Sequence, residues 1–336
     1  MISIRIANTL LLIIQINYLC AHANLLTLES ELKLHKENKN EKIARVAHLG
    51  NNKYISQGFN VMHGFLTLHG SKQTEIVQND ATERWVLFEG QKANISLQKM
   101  KFVMISKFII AKADVKSIVH FKDNTIIGTT EIGSIFEING GELIITNLKL
   151  EFKNINEKMV SQLVSFSNNG GYLQVRKTQI ANVTIRKGNS PFGDDNANTI
   201  SLVDCKFSHI HIEHNDTYKE TNHIVQSTNI SIINCKFADV ENALNGGIIN
   251  NVNSNKNLLV KQSSFKNCHN SMLTPITSNQ QHADIQSGNA QFIDTTFEDC
   301  KSSDFGGAVN FRSDGYISIT DCKFYNCISC EGKGGA

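Results

Sequence analysis

One pattern of apolar and polar positions returns along most of the chain. Its clearest copy is Ile200-Ser-Leu-Val-Asp-Cys-Lys-Phe207: apolar, any, apolar, two residues, small or Cys, any, Phe. The same unit stands at Ile230 to Phe237, Leu258 to Phe265, Ala290 to Phe297 and Ile317 to Phe324. Weaker copies are Leu143 to Leu150, Leu173 to Ile180 and Ile95 to Phe102. The closing position falls at 150, 180, 207, 237, 265, 297 and 324, in steps of 27 to 32 residues. The wider gap between 102 and 150 has room for one poorly matching unit around Ile118 to Ile127. Within a unit the apolar positions come in two pairs, each pair two residues apart, as on one face of a strand. Between the pairs the spacing is three, so both can face inward only if the chain turns a corner there. Asn147, Asp204, Asn234, Asp294 or Asp321 stands at that corner, with Lys177 and Gln262 as exceptions. Asn and Asp tolerate left-handed backbone and cap their own turns.

A pattern that returns in the same direction at regular intervals predicts a coil, because one unit cannot bury its apolar face without neighbours. An antiparallel sandwich would need tight Asn-Gly or Asp-Gly hairpins at regular spacing. A sandwich and a leucine-rich horseshoe remain as alternatives. Stacking should place Phe over Phe and Cys over Cys at about 4.8 Å. Gly140-Gly141, Gly170-Gly171, Gly246-Gly247 and Gly306-Gly307, usually followed by a short apolar stretch such as Ile248-Ile249 or Ala308-Val309, are expected to supply a third side. The fold class is therefore all-β, a parallel β-helix forming one elongated domain over residues 85–336.

Phe265-Lys-Asn-Cys268, Phe297-Glu-Asp-Cys300 and Phe324-Tyr-Asn-Cys327, with Gly306-Gly307-Ala308-Val309 and Gly334-Gly335-Ala336, resemble the F-x-x-[N/C] and G-G-A-[I/V] repeats of polymorphic outer membrane proteins. Similar repeats occur in protist surface proteins of pectin-lyase-like fold. The resemblance spans roughly residues 90 to 336 and is strongest in the last hundred. It implies a right-handed parallel β-helix and, in the bacterial family, adhesion to host surfaces. Cys stands where the bacterial repeats usually carry Asn, and no autotransporter barrel follows. Such motifs specify architecture better than partner.

Residues 1–23 are expected to be a secretory signal peptide: Arg5, an apolar run from Leu10 to Ile14 continued by Ile16, Tyr18 and Leu19, then Ala21-His22-Ala23 for cleavage. Residues 24–84 show no clear repeat and are expected to be an N-terminal cap or irregular segment, with a short amphipathic helix over Leu25 to Lys36. The chain stops at the opening of another turn, so a fragment of a longer protein or a truncated gene model is expected, and any membrane attachment would lie in the missing segment, with a released and an anchored form both open. A formal net charge of +2 points to neither nucleic acid nor an acidic membrane surface. Sequons begin at Asn94, Asn182, Asn215 and Asn229, candidate glycan acceptors in a secretory compartment.

Seven cysteines follow the leader. Cys205, Cys235 and Cys322 stand two before the Phe; Cys268, Cys300 and Cys327 stand three after it. Together with Phe207, Phe237, Phe265, Phe297 and Phe324 they are the expected core ladder. Disulfides between turns and a ladder of small buried thiols are both open readings. Cys327-x-x-Cys330 lacks the second pair that zinc requires.

Many parallel β-helices are polysaccharide lyases or hydrolases, which cleave with paired carboxylates or with a base beside a calcium site. Gly193-Asp194-Asp195 resembles the G-D-D of polygalacturonases, without the N-T-D, G-H-G and R-I-K elements, so a solvated loop is the plainer reading. Arg312 and Asp314 lie close without the column of acids a calcium-dependent lyase would use. His209 and His211 share a strand face and could bind metal; a polar outer face is the blander reading. Met62-His63-Gly64, near His69, resembles nothing catalytic. No catalytic residue, metal ligand or cofactor is assigned. The expected function is a noncatalytic structural or adhesive surface protein with a glycan or protein ligand; the alternative is an extracellular polysaccharide lyase or hydrolase.

Overall fold

The computed structural model describes residues 26–27, 44–56, 59–78, 86–104, 109–128, 132–133, 135–153, 158–186, 190–213, 224–242, 248–251, 257–269, 273–274, 288–302, 308–309 and 315–329. All the named elements are strands. Each repeat unit pairs in parallel with the next, making a β-solenoid with three walls.

The first wall carries the unit's opening pair. Glu142–Thr146, Tyr172–Arg176, Thr199–Val203, Asn229–Ile233, Asn257–Lys261 and Asn289–Ile293 lie in unbroken register, so that Leu143, Leu173, Ile200, Ile230, Leu258 and Ala290 form one column. Alternation buries Ile230 and Ile232 and turns Asn229, Ser231 and Ile233 outward. The third wall carries the closing position. Ile180, Phe207, Phe237, Phe265, Phe297 and Phe324 stack in register. From Phe207 onward the successive rings stand 4.9, 4.8, 5.2 and 4.8 Å apart, all within 10° of parallel. The expected spacing is met because the backbone ladder fixes the rise. Each stacked pair adds about 0.5–1.5 kcal/mol beyond its area burial.

Between these walls the chain turns at a residue held in left-handed backbone. The corner residues are Lys99, Asp123, Asn147, Lys177, Asp204, Asn234, Gln262, Asp294 and Asp321, with φ between 49° and 56°. Lys99, Lys177 and Gln262, the three corners without Asn or Asp, adopt the same conformation as the rest. Neighbouring turns impose it on them at a cost of about 1–2 kcal/mol each.

A second left-handed column, not anticipated from the sequence, lies within the third wall: Asn182, His209, Asp239, Asn267, Asp299 and Asn326, with φ from 49° to 55°. It explains the F-x-x-Cys spacing. One extra bend between Phe and the residue three later lets both point inward, which plain alternation forbids. Cys268, Cys300 and Cys327 thereby continue a buried column begun by Val183, Ile210 and Val240.

The middle wall is built from shorter strands, including Phe136–Asn139, Val164–Phe166, Val225–Ser227 and Ile249–Asn251. Gly140-Gly141 and Gly170-Gly171 lie at the corner between this wall and the first, directly before first-wall strands. They are corner pieces rather than the start of a side. A Cβ on Gly171, at φ +142°, would sit 2.3 Å from Ile138 Cγ2 and 2.7 Å from the Gly141 carbonyl. Gly246-Gly247, Gly306-Gly307 and Gly334-Gly335 lie outside the described residues.

The coil begins earlier than the repeat suggests. Ala44–His48 pairs with Phe65–His69, Lys53–Ser56 with Glu75–Gln78, and Leu26–Thr27 with Tyr54–Ile55, all in parallel. Within residues 24–84, expected to be a cap or irregular segment, these strands are further rungs of the same coil. Leu26–Thr27 is strand where a helix was expected, and residues 28–36 lie outside the described set. The unit around Ile118 to Ile127 is present: Ile126 sits between Phe102 and Leu150.

Candidate functional site

A column of mostly small polar residues, buried except at Cys322, runs just past the first corner. Its members are Thr74, Met100, Asn124, Leu148, Thr178, Cys205, Cys235, Ser263, Thr295 and Cys322. At four members the turn frees the backbone N–H from the strand ladder and a side chain one turn along takes it up: Met100 N–H donates to Asn124 Oδ1 at 2.8 Å, Leu148 N–H to Thr178 Oγ1 at 3.3 Å, Cys205 N–H to Cys235 Sγ at 3.4 Å and Cys235 N–H to Ser263 Oγ at 3.1 Å. The Cys and Ser side chains also donate to a carbonyl two residues back, Cys205 to Val203 at 3.3 Å, Cys235 to Ile233 at 3.3 Å and Ser263 to Lys261 at 2.9 Å, whereas Asn124 Nδ2 donates to the Leu97 carbonyl at 2.7 Å. Cys, Ser, Thr and Asn share this column because each offers a small donor and acceptor where an unpaired amide would cost about 1–3 kcal/mol.

The six described cysteines, Cys205, Cys235, Cys268, Cys300, Cys322 and Cys327, are free thiols. Cys205 stacks on Cys235 as expected. Cys322 belongs to the same column but lies beyond Ser263 and Thr295, out of reach of either. Cys268, Cys300 and Cys327 occupy three successive rungs, each donating to a carbonyl two residues back at 3.4 to 3.5 Å. A hydrogen bond with Cys205, then burial, pushes the Cys235 thiol up; Cys300 is pushed up by its hydrogen bond with Cys268 and by burial. Cys20 and Cys330 lie outside the described residues.

The candidate chemical groups do not converge. Asp194 Oδ2 accepts the Phe166 N–H at 2.9 Å and Gln162 Nε2 at 2.9 Å, while Oδ1 accepts the Asn196 N–H at 2.9 Å. It caps a turn and clamps it to the previous one. Asp195 accepts from Gln226 Nε2 at 2.6 Å. His209 and His211 face outward, and each contacts the next turn's carboxylate rather than the other: His209 Nε2 to Asp239 Oδ2 at 3.4 Å, His211 Nδ1 to Glu241 Oε2 at 3.7 Å. Among the described residues no group of three or more His, Cys, Asp and Glu is arranged to hold a metal ion. His214, Arg312 and Asp314, and the side chains of Met62 and His63, lie outside what is described.

Of the sequon residues, Asn182 is exposed at the second corner. Asn94 and Asn229 are half-buried on the outer side of the first wall, and Asn229 Nδ2 donates to the Asn198 carbonyl at 3.1 Å. Asn215 is outside the described residues. On the middle wall Lys112 lies between Glu89 at 3.5 Å, Glu137 at 3.6 Å and Asp114 at 3.7 Å. Burial alone would lower its ammonium; Glu137, Asp114 and Glu89 together hold it above the ordinary lysine value.

One interruption breaks the third wall. In every other turn from residue 75 on, the residue before the closing position donates its N–H across to the turn before: Glu75 to Asn52, Lys101 to Thr74, Thr125 to Met100, Lys149 to Asn124, then Lys206 to Thr178, Lys236 to Cys205, Ser264 to Cys235, Thr296 to Ser263 and Lys323 to Thr295, at 2.9 to 3.0 Å. The equivalent bond from Gln179 to Leu148 is missing, and strand Lys149–Phe152 does not pair with Gln179–Ile185. The first and middle walls stay continuous at this level. The result is a cleft of about 340 Å³ lined by Leu150, Phe152, Ile180 and Val183, with Glu151, Lys153, Lys158 and Gln179 among its polar residues. Leu150 is half-buried, whereas Phe102, Ile126, Ile180 and Phe207 in the same column are buried. Nothing local marks this break in the sequence, since Leu143 to Leu150 and Leu173 to Ile180 both fit the repeat. Comparison with family models, curated proteins and solved structures returned no match.

Proposed function

We propose that the chain is a secreted or surface-displayed β-helix of pectin-lyase-like type, acting as a noncatalytic structural or adhesive scaffold that presents its walls to a glycan or protein ligand. The observation that carries this reading is how its carboxylates are used. Asp194 clamps one turn to the next, and Asp123, Asp204, Asp239 and Asp299 each accept an amide from the corner Asn one turn along: Asn147 at 2.9 Å, Asn234 at 2.6 Å, Asn267 at 2.9 Å and Asn326 at 2.7 Å. Hydrolysis of a glycosidic bond uses two acids facing one substrate across roughly 5–9.5 Å. Acids engaged in holding corners are unsuited to that role. The leader at residues 1–23 and the sequons support an extracellular setting, with Asn182 the best-presented acceptor.

The test is incubation of the purified mature chain with a panel of acidic and neutral polysaccharides, alongside retention on the same materials immobilised. Retention without a change in polymer length is expected. Reproducible depolymerisation would overturn the reading in favour of a polysaccharide lyase or hydrolase.

A further inference from the structure

The cleft beside Lys149–Phe152 combines two features that rarely meet on a closed coil: an open strand edge and half-exposed apolar side chains next to it. Lys149 and Lys153 direct their amides to Asn124 and Gly128 of the preceding turn, at 3.0 Å each. Alternation along a strand then turns the backbone amides and carbonyls of Leu150 and Phe152 to the opposite edge, into the cleft. Among the described residues no strand pairs with that edge. At its corner end the cleft is still closed by the Leu148 N–H to Thr178 Oγ1 bond. At its far end Met159–Val160 pairs with Thr184–Ile185, Thr184 N–H donating to the Lys158 carbonyl at 2.9 Å, so the cleft is a short window in the wall bounded at both ends.

We propose that this edge receives an extended peptide segment of a protein partner, which adds to Lys149–Phe152 as one more strand. The inference rests on the adhesive reading above and names its partner class. Two features select an extended peptide over a sugar, and the volume accommodates part of one. An open strand edge offers alternating N–H and C=O groups at strand spacing, the complement of another strand's backbone. Leu150, Phe152, Ile180 and Val183 give an apolar floor for every second side chain of such a segment. The volume of about 340 Å³ falls in the range of small binding clefts. The charged residues set the character of the outward side chains. Glu151 is engaged by Lys149 at 2.7 Å, while Lys153 and Lys158 are exposed and carry no ion pair among the described residues. An alternating apolar and acidic sequence fits both surfaces.

The probe is a fluorescein-labelled heptapeptide of alternating valine and glutamate with blocked ends, titrated into the mature chain and followed by polarisation. Hydrogen exchange of the protein amides is read in parallel. Saturable binding is expected, with slowed exchange at Leu150 and Phe152. Methylation of alternate peptide nitrogens should weaken binding at least ten-fold, and so should Lys153→Glu with Lys158→Glu, two exposed positions that leave the core intact. Phe152→Ala should weaken it as well, provided the circular dichroism of the variant is unchanged. Absence of binding up to about 1 mM, near the weak end of measurable affinity, overturns the proposal. So does binding that leaves the Leu150 and Phe152 amides unprotected or ignores N-methylation. Protection of those amides by oligogalacturonate but not by the peptide overturns it too while leaving the adhesive reading standing. Polysaccharide cleavage would defeat the adhesive reading without touching the peptide result.

Discussion

Replacing Cys235 separates the hydrogen-bonding thiol from both the disulfide and the inert filler. In the structure its sulfur accepts the buried Cys205 N–H at 3.4 Å and donates to the Ile233 carbonyl at 3.3 Å. Cys235→Ser keeps a donor and acceptor in the place where Ser263 already serves the next turn, and should change stability by less than about 1 kcal/mol. Cys235→Val fills the volume but leaves the Cys205 amide without a partner, a cost of about 1–3 kcal/mol. A disulfide to Cys205 would instead close a loop of 30 residues, worth roughly 3–4 kcal/mol, and its loss would penalise Ser and Val alike. Denaturant unfolding of the three proteins, with and without reductant, gives the ranking. Hydrogen exchange at the Cys205 amide isolates the contact itself, which matters because a solenoid need not unfold in one step. If Val matches Ser in stability and the Cys205 amide exchanges equally slowly in both, the role assigned to the thiol is wrong. Equal, large losses in both, absent under reductant, would establish the disulfide.

Lys177→Gly and Gln262→Gly should each stabilise the coil by about 0.5–1 kcal/mol, because glycine adopts their left-handed conformation without the Cβ penalty; a thermal melt checks the sign. Asn234→Ala should go the other way by about 1 kcal/mol, losing both turn preference and the 2.6 Å bond to Asp204. Phe237→Ala removes a fully buried ring from the middle of the stack and should cost about 3–5 kcal/mol, read as early loss of structure on denaturation. Expressed through a eukaryotic secretory pathway, the protein should carry more glycan at Asn182 than at Asn229, measured by mass spectrometry before and after enzymatic deglycosylation.

The repeat, its direction, the Phe stack and the first corner were legible because each depends on spacing within one short unit. The corner could be read even through Lys177 and Gln262, since the parity of the apolar pairs demands a bend whatever residue makes it. The second corner carries its own signal: Asn or Asp stands two after the closing position at Asn182, Asp239, Asn267, Asp299 and Asn326, and His209 stands there once. The upstream rungs escaped for two reasons. Tyr54 and Ile76 hold the Phe position, and the corner after Leu68 is three residues longer, carrying Ser71 to Thr74 in a turn closed by Thr74 N–H to Ser71 O at 3.1 Å. The cleft was illegible in principle, because it is a failure of two well-formed units to meet.

The corner contacts also bear on how such a gene can change length. Each turn offers its neighbour nearly the same surface: a freed amide to one side, a small hydrogen-bonding side chain to the other. Cys205-Lys206-Phe207 and Cys235-Lys236-Phe237 are the same tripeptide one turn apart. Excising residues 207–236 would join Lys206 to Phe237, a junction chemically identical to the native one, and bring Cys205 against Ser263 as Cys235 is now. Whole turns are thus interchangeable parts, and unequal recombination between them would shorten or lengthen the protein without creating a new interface.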